Sequence, residues 1–262
     1  MRKLPKPCDV TGADLVPVDV YDVCISKVNN QNLKSRLKSV RSLVAEAAID
    51  YDAAASSGKL HTIKRQTSVG SVTKDEMVRV YTYRMVSNKQ PGRIVYDQII
   101  NAPKHQRCPL CDIGTVNTLD HHLPKTKYLK LTVTPNNLVP SCEWCQGAKS
   151  TGYPTCAEEQ TIHPYFDDFE SEVWLYAEVV QSVPAAFRYN AKPPSAWGII
   201  VEKRLIFHLK AFKLLKLYSS NAGSELSGIR TRLGRLLNSG GREAVRKHLR
   251  EEAESWEDEF KN

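Results

Sequence analysis

The 262-residue chain has no apolar run near the roughly 18 residues that a membrane helix needs. The longest candidate, around Trp197–Val201, is far too short. Charge at Met1–Pro7 is not followed by an apolar core, so no secretory signal is expected and the reading is a cytoplasmic protein. There is no internal repeat and no low-complexity tract. The seven cysteines are an odd number, which without a signal argues against a secreted disulfide framework. What is present is ordinary for a globular chain, with 41% hydrophobic and 25% charged residues, and this excludes wholesale disorder. The length suits one large or two modest domains.

Lys and Arg number 37 against 29 Asp and Glu, a net charge of +8. The excess is concentrated: residues 201–250 hold 12 basic and 3 acidic side chains, whereas residues 151–200 hold 2 and 7. The last twelve residues hold 1 and 6, an acidic tail. A basic block of this kind attracts phosphate backbones through charge and counterion release. A solvated helical face would have the same composition.

Four cysteines form two Cys-x-x-Cys pairs, Cys108–Cys111 and Cys142–Cys145, separated by thirty residues. Two such turns supply the four soft thiolates of a tetrahedral structural Zn²⁺ site, and Pro109 suits the first turn. Buried or redox thiols are the alternative. The long gap predicts a structured insert between the two knuckles.

Residues 1–30, with Pro5, Pro7 and Pro17, read as extended. A helical face runs from Leu33 through Leu37, Val40, Val44 and Ala48 to Tyr51, with Gly58 as a stop. Thr73–Glu76 is a capping-box sequence opening a helix along Met77, Val80, Tyr81 and Arg84. Residues 93–101 read as another helix. Thr115–Leu119 is a strand candidate, and Asn136–Pro140 leads into the second cysteine pair. Val173–Val180 and Ala186–Tyr189 are further strand candidates. Three helical segments close the chain: Trp197–Tyr218, Glu225–Leu237 and Arg242–Trp256, with breaks expected at 221–223 and 240–241.

Between and beyond the knuckles lie Asp120, His121, His122, Asn137 and His163. Neutral imidazole can take a proton from water near pH 7, and carboxylate or amide oxygens bind a hard cation. A base beside a metal suits phosphodiester hydrolysis. Lys125, Lys127 and Lys130 could contact phosphate or cover a solvated loop. Asp167 and Asp168 could tune His163 or bind metal, but read first as capping or surface residues, and His61, His105, His208 and His248 read as ordinary. Trp197 and Trp256 read as helical core, and Cys156 as a buried or free thiol.

The strings Leu119-Asp120-His121-His122-Leu123-Pro124-Lys125 and Asn137-Leu138-Val139-Pro140-Ser141-Cys142-x-x-Cys145-x-x-x-Lys149 resemble the HNH endonuclease family. Cys108-Pro109-Leu110-Cys111 and His163-Pro164-Tyr165-Phe166-Asp167 fit its zinc-containing branch. The resemblance covers about residues 105–169, roughly a quarter of the chain. It implies an α+β protein with a ββα-metal nuclease module and a four-cysteine structural zinc site. The module is flanked by mainly helical segments at residues 1–104 and 170–262.

It further implies Asp120 as a ligand of a catalytic Mg²⁺ or Mn²⁺, His121 as general base, and Asn137 as the residue that holds the loop between the strands. Two positions depart from the pattern. Gln146 stands where Asn is frequent, so the second protein ligand is either Gln146 or His163. His122 stands where an aromatic is frequent and reads as packing, because successive strand residues face opposite ways. Lys149 recurs in the motif and is expected to touch phosphate or cover the helix end. The implied partner is DNA, with RNA not excluded. The activity is nicking or cleavage in the setting of a bacterial antiviral defence or restriction system, with possible gating by a protein partner. The competing class is a zinc-ribbon-like module that binds nucleic acid or a partner without cutting.

Overall fold

The computed structural model describes residues 1–181 and 186–261, with side chains as far as 258. The chain falls into two compact units. Met1–Leu175 joins Ala191–Leu214 in the first, and Tyr176–Asn190 joins Leu215–Asn262 in the second.

The first unit begins with a departure from the extended reading. Pro17 opens helix α1 (Pro17–Ile25), where its missing N–H costs nothing and its fixed φ is already helical. Val20, Tyr21, Cys24 and Ile25 are buried along it. The helical run from Leu33 is two helices, α2 (Gln31–Ser39) and α3 (Arg41–Ser56), broken at Val40. Asn30 caps α2 by accepting from the Leu33 N–H at 2.9 Å. The short strands β1 (Ser68–Val69) and β2 (Val72–Thr73) pair antiparallel. Thr73 and Glu76 form the expected capping box at the start of α4 (Lys74–Arg79). Arg36 clamps the Glu76 carboxylate and holds it down at about 2. The helix continues as a π-turn through Val80–Met85, a geometry frequent at functional sites. Helix α5 spans Arg93–Ile100.

Strand β3 (Thr118–His121) lies three residues beyond the expected start and carries Asp120 and His121 itself. It pairs antiparallel with β4 (Leu138–Ser141), Asp120 opposite Val139 and His121 opposite Leu138. Helix α6 (Glu143–Lys149) follows directly. The β3–β4 hairpin is buried on both faces. Leu119 and Leu138 join Tyr21, Leu37, Met77, Met85 and Ile99 in one apolar cluster. The helical N-terminal segment and the segment bearing the cysteine pairs share a core, each large buried side chain contributing about 1.5–3 kcal/mol. Helix α7 (Gly198–Ala211) returns to this unit through Arg204 and His208.

In the second unit, β5 (Leu175–Val180) and β6 (Ala186–Ala191) form a two-stranded sheet. Helix α8 (Leu214–Lys261) is continuous through Asn221-Ala222-Gly223, where a break was expected. Its one non-helical residue is Gly241, with φ +68. The break in the sequence pattern falls earlier, at Lys213, with φ +53. Arg232 reaches Glu252 at 3.6 Å, so the two arms of α8 meet across Gly241 and part of the acidic tail neutralises the basic arm. Among the described residues no helix is long and apolar enough to cross a membrane.

Candidate functional site

The sulfur atoms of Cys108, Cys111, Cys142 and Cys145 all lie within 4.8 Å of one another, and all four residues are buried. Cys111 and Cys142 are 3.7 Å apart. Four thiolates at the zinc–sulfur distance would stand about 3.8 Å from each other, so the donor set and spacing fit a tetrahedral ion such as zinc. Packed around one point, the thiols cannot titrate independently. Hydrogen bonds from neighbouring thiols pull Cys142 and Cys111 down, the latter to about 7, and push Cys108 and Cys145 up. Gly114 makes the approach possible: a Cβ there would lie 2.6 Å from the Cys142 sulfur. His208 braces the first knuckle. Its Nδ1 accepts from the Ile162 N–H at 3.0 Å, so Nε2 carries the proton and donates to the Leu110 carbonyl at 2.9 Å. Sequence reading had left His208 without a role.

The second cluster stands at the end of β3. Alternation sends Leu119 and His121 toward the N-terminal core, and Asp120 and His122 the other way. The His121 ring packs edge-on against Tyr81 of the π-turn, centroids 4.4 Å apart. The Tyr81 hydroxyl donates to the Leu119 carbonyl at 3.1 Å. His121 Nε2 lies 2.8 Å from the Thr132 carbonyl, which can only accept. The proton therefore sits on Nε2, and Nδ1 keeps a lone pair with no hydrogen bond among the described residues. Burial first, then the charge of Lys125, holds the imidazole down at about 3, so it is neutral at pH 7.

Asp120 accepts from Lys149 at 2.7 Å, and the same ammonium donates to the His121 carbonyl at 2.6 Å. Both side chains of this ion pair are nearly buried. Lys125 lies over the Tyr81 ring at 4.9 Å, and its charge acts on both Asp120 and His121. Two ammonium groups and one carboxylate leave the cluster with net positive charge, suited to a phosphate. Asn137 is buried beneath. Its Oδ1 accepts from the Leu123 N–H at 2.8 Å, and its Nδ2 donates to the Leu123 and Leu131 carbonyls at 3.0 and 3.1 Å. The loop between β3 and β4 is thus tied through one amide.

The remaining candidates separate. Gln146 is exposed on α6 and donates to the Thr118 hydroxyl at 3.4 Å, two residues along β3 from Asp120. His163 offers no free nitrogen: Nδ1 accepts from the Tyr165 N–H, and Nε2 meets the Tyr51 hydroxyl at 2.8 Å. Both ring nitrogens thus meet protein groups, the Asn136 backbone among them. His122 stacks on the His163 ring at 4.2 Å. Among the described residues the four cysteines are the one group of three or more His, Cys, Asp or Glu side chains gathered closely enough for an ion. Lys127 is away from Asp120, over the Tyr153 ring at 4.7 Å. Asp167 is no surface residue. It takes a two-pronged ion pair from Arg204, at 2.5 and 3.0 Å, and accepts from the His163 N–H. Tyr81, Arg204 and Gly114 were not singled out as site residues by the sequence reading. The face of Met77 and Tyr81 was legible, but not what it would meet.

Four histidines are buried and neutral here, which makes stability depend on pH. Burial lowers His121, His163 and His208 to about 3, and His122 well below its usual value. The unfolded chain takes up these protons below about 6.5, while the folded chain does not. Stability is therefore full above pH 6.5 and falls as the pH drops toward 3, by up to about 1.4 kcal/mol per pH unit for each histidine. Denaturant titrations at pH 7.5 and 5.5 should give a clearly lower midpoint at 5.5. Equal midpoints would mean that the histidines are protonated in the folded state.

No family model matches the chain, and no solved structure matches it. It is similar to Protein ea31 of Escherichia phage lambda, with 28% identity over 242 residues that span 88% of this chain and 79% of that protein. That name specifies no reaction.

Proposed function

We propose that the chain is a metal-dependent endonuclease of the HNH type that hydrolyses DNA phosphodiester bonds. The observation that carries this reading is the condition of His121. It is neutral, its Nε2 proton is fixed on Thr132, and its Nδ1 lone pair has no partner among the described residues, with the charges of Lys125 and Lys149 acting on the ring. A neutral ring with a free lone pair can accept a proton from an attacking water, and the negative charge of a bound phosphate would raise its affinity for that proton. Asn137 keeps the loop that presents Thr132 in place, and so keeps the ring oriented. Lys125 and Lys149 neutralise the phosphate.

Asp120, with Gln146 the next polar side chain of α6 along β3, would hold a Mg²⁺ or Mn²⁺ ion. Hard divalent ions commonly take one or two carboxylates and fill their shell with water and substrate phosphate, so this donor set fits. Such an ion supplies charge neutralisation at the phosphate and the departing oxygen. The four cysteines would hold zinc in a closed, structural site. The exposed Arg230, Arg232, Arg235, Arg246 and Arg250 of α8 are the proposed backbone-binding surface. Substituting several of them should lower the salt slope of DNA binding by nearly one for each phosphate that is no longer neutralised. An unchanged slope in salt titrations would remove α8 from the interface.

A second reading has one observation in its favour. Lys149 already neutralises Asp120, as it would in a zinc-ribbon-like module that binds nucleic acid or a partner without cutting. Plasmid nicking with Mg²⁺ or Mn²⁺, wild type against His121→Ala, separates the two.

A further inference from the structure

A cavity of about 160 Å³ is lined in part by Lys149, the lysine that pairs with Asp120. Its walls are mostly apolar, with Ala148, Pro154, Phe207 and Ala211, and Tyr153 stands among them. Two polar groups line it without a partner. His122 is 4% exposed and Thr161 is 8% exposed, and neither the imidazole nitrogens nor the hydroxyl makes a hydrogen bond among the described residues. A neutral imidazole brings one donor and one acceptor, and a hydroxyl brings both. Neither belongs to the fully buried polar atoms that lack a partner, so solvent in the cavity can pair them until a ligand takes its place.

We propose that this cavity receives one unstacked nucleobase of the substrate strand, an inference that rests on the nucleic-acid reading above. Its volume is below the roughly 300–1,000 Å³ of sites for drug-sized ligands, so it has room for a single ring system and not a whole nucleotide. Glu159 on its wall is an anion, its carboxylate held down by hydrogen bonds from Thr155, and it would repel a phosphate. A carboxylate oxygen, an imidazole edge and a hydroxyl against apolar walls suit a neutral planar heterocycle with amino and carbonyl groups. Cations suited to the backbone stand at its wall and around it. Lys127 and Arg65 lie 4.7 and 5.1 Å from the centroid of the Tyr153 ring, and Lys149 both lines the cavity and pairs with Asp120. A base inserted here would have Lys149 of the β3 cluster available to its own phosphate.

The test is binding of a short single-stranded DNA, without divalent metal, in which an abasic site is moved one position at a time. The full-length wild type should lose about tenfold in affinity at one position, the size expected for one stacked base. In Ala211→Phe, which fills the cavity from α7, that position should no longer matter. Thr161→Val keeps the shape of the side chain and should reduce the penalty several-fold, and it carries the test if the larger substitution does not fold. Equal binding at every abasic position, or an undiminished penalty in both variants, overturns the proposal. Because binding is read without cleavage, the two readings fail separately. A protein that shows the penalty but never cuts DNA keeps the cavity assignment and loses the nuclease reading. One that cuts with no penalty loses only the cavity assignment, and one that does not bind DNA loses both.

Discussion

Replacing His121 by alanine is expected to lower Mg²⁺- or Mn²⁺-dependent plasmid nicking by about 10²–10⁴-fold, the usual contribution of a positioned general base. The substitution also removes the partner of the buried Thr132 carbonyl and the ring packed against Tyr81. An unpaired buried carbonyl costs about 1–3 kcal/mol, so a loss of activity could reflect a weakened fold. His121→Gln addresses this, because its amide can still donate toward Thr132 but cannot accept a proton from water near neutral pH. Both variants should be inactive, with the glutamine variant melting closer to the wild type. Equal nicking by wild type and His121→Ala would end the proposed mechanism. A wild type that nicks nothing with any divalent metal would favour the binding module or an enzyme gated by a partner, and gene neighbourhood would then distinguish those two.

Removing the metal from the cysteine cluster should have the largest effect on stability. Structural zinc binding is worth about 10–16 kcal/mol in small folds, comparable with the entire stability of a typical domain. The cluster joins the turn before β3 to the start of α6, so its loss frees both ends of the hairpin that carries Asp120 and His121. Purified protein should contain one zinc per chain by elemental analysis. A strong chelator, or Cys145→Ser, should lower the melting temperature sharply and abolish nicking even with Mg²⁺ restored. Trp144 reports locally, since its indole donates to the Phe212 carbonyl at 2.7 Å between α6 and the end of α7. The apolar cluster shared with α1–α5 should keep the N-terminal helices folded at moderate temperature. A zinc-free protein with an unchanged melt would show that the thiols pack without an ion.

Local signals carried much of this architecture. The two cysteine pairs, the Thr73–Glu76 capping box and the strand leading into Cys142 were all legible, because spacing and short-range hydrogen bonds decide them. Helix α1 was not, since three prolines in the first seventeen residues outweighed the helical start that Pro17 itself permits. Strand β3 was misplaced because Thr115 and Val116 have the stronger strand propensity, while Asp120 and His121 gain their strand geometry from pairing with Val139 and Leu138. Site residues contributed from a distance left no local mark. Tyr81 is 40 residues before His121, and Arg204 is 37 after Asp167. Gly114 has its role only because the Cys142 sulfur lies where its side chain would be.

The π-turn at Val80–Met85 has a consequence for the length of the chain. A π-turn holds one residue more than an α-turn, so this segment is a one-residue surplus kept in the helix that touches His121. A relative lacking that residue could run through as plain α-helix. Because the extra residue is taken up within one turn, the helix on either side would keep its phase, and only the face inside the turn would change. Tyr81 and Met85, both inside it, would be the residues to move. The surplus residue thus sets how the aromatic wall of the β3 cluster is presented without disturbing the capped start of the helix. An alignment of relatives would record it as a gap or an insertion at this turn, far in sequence from the motif it serves.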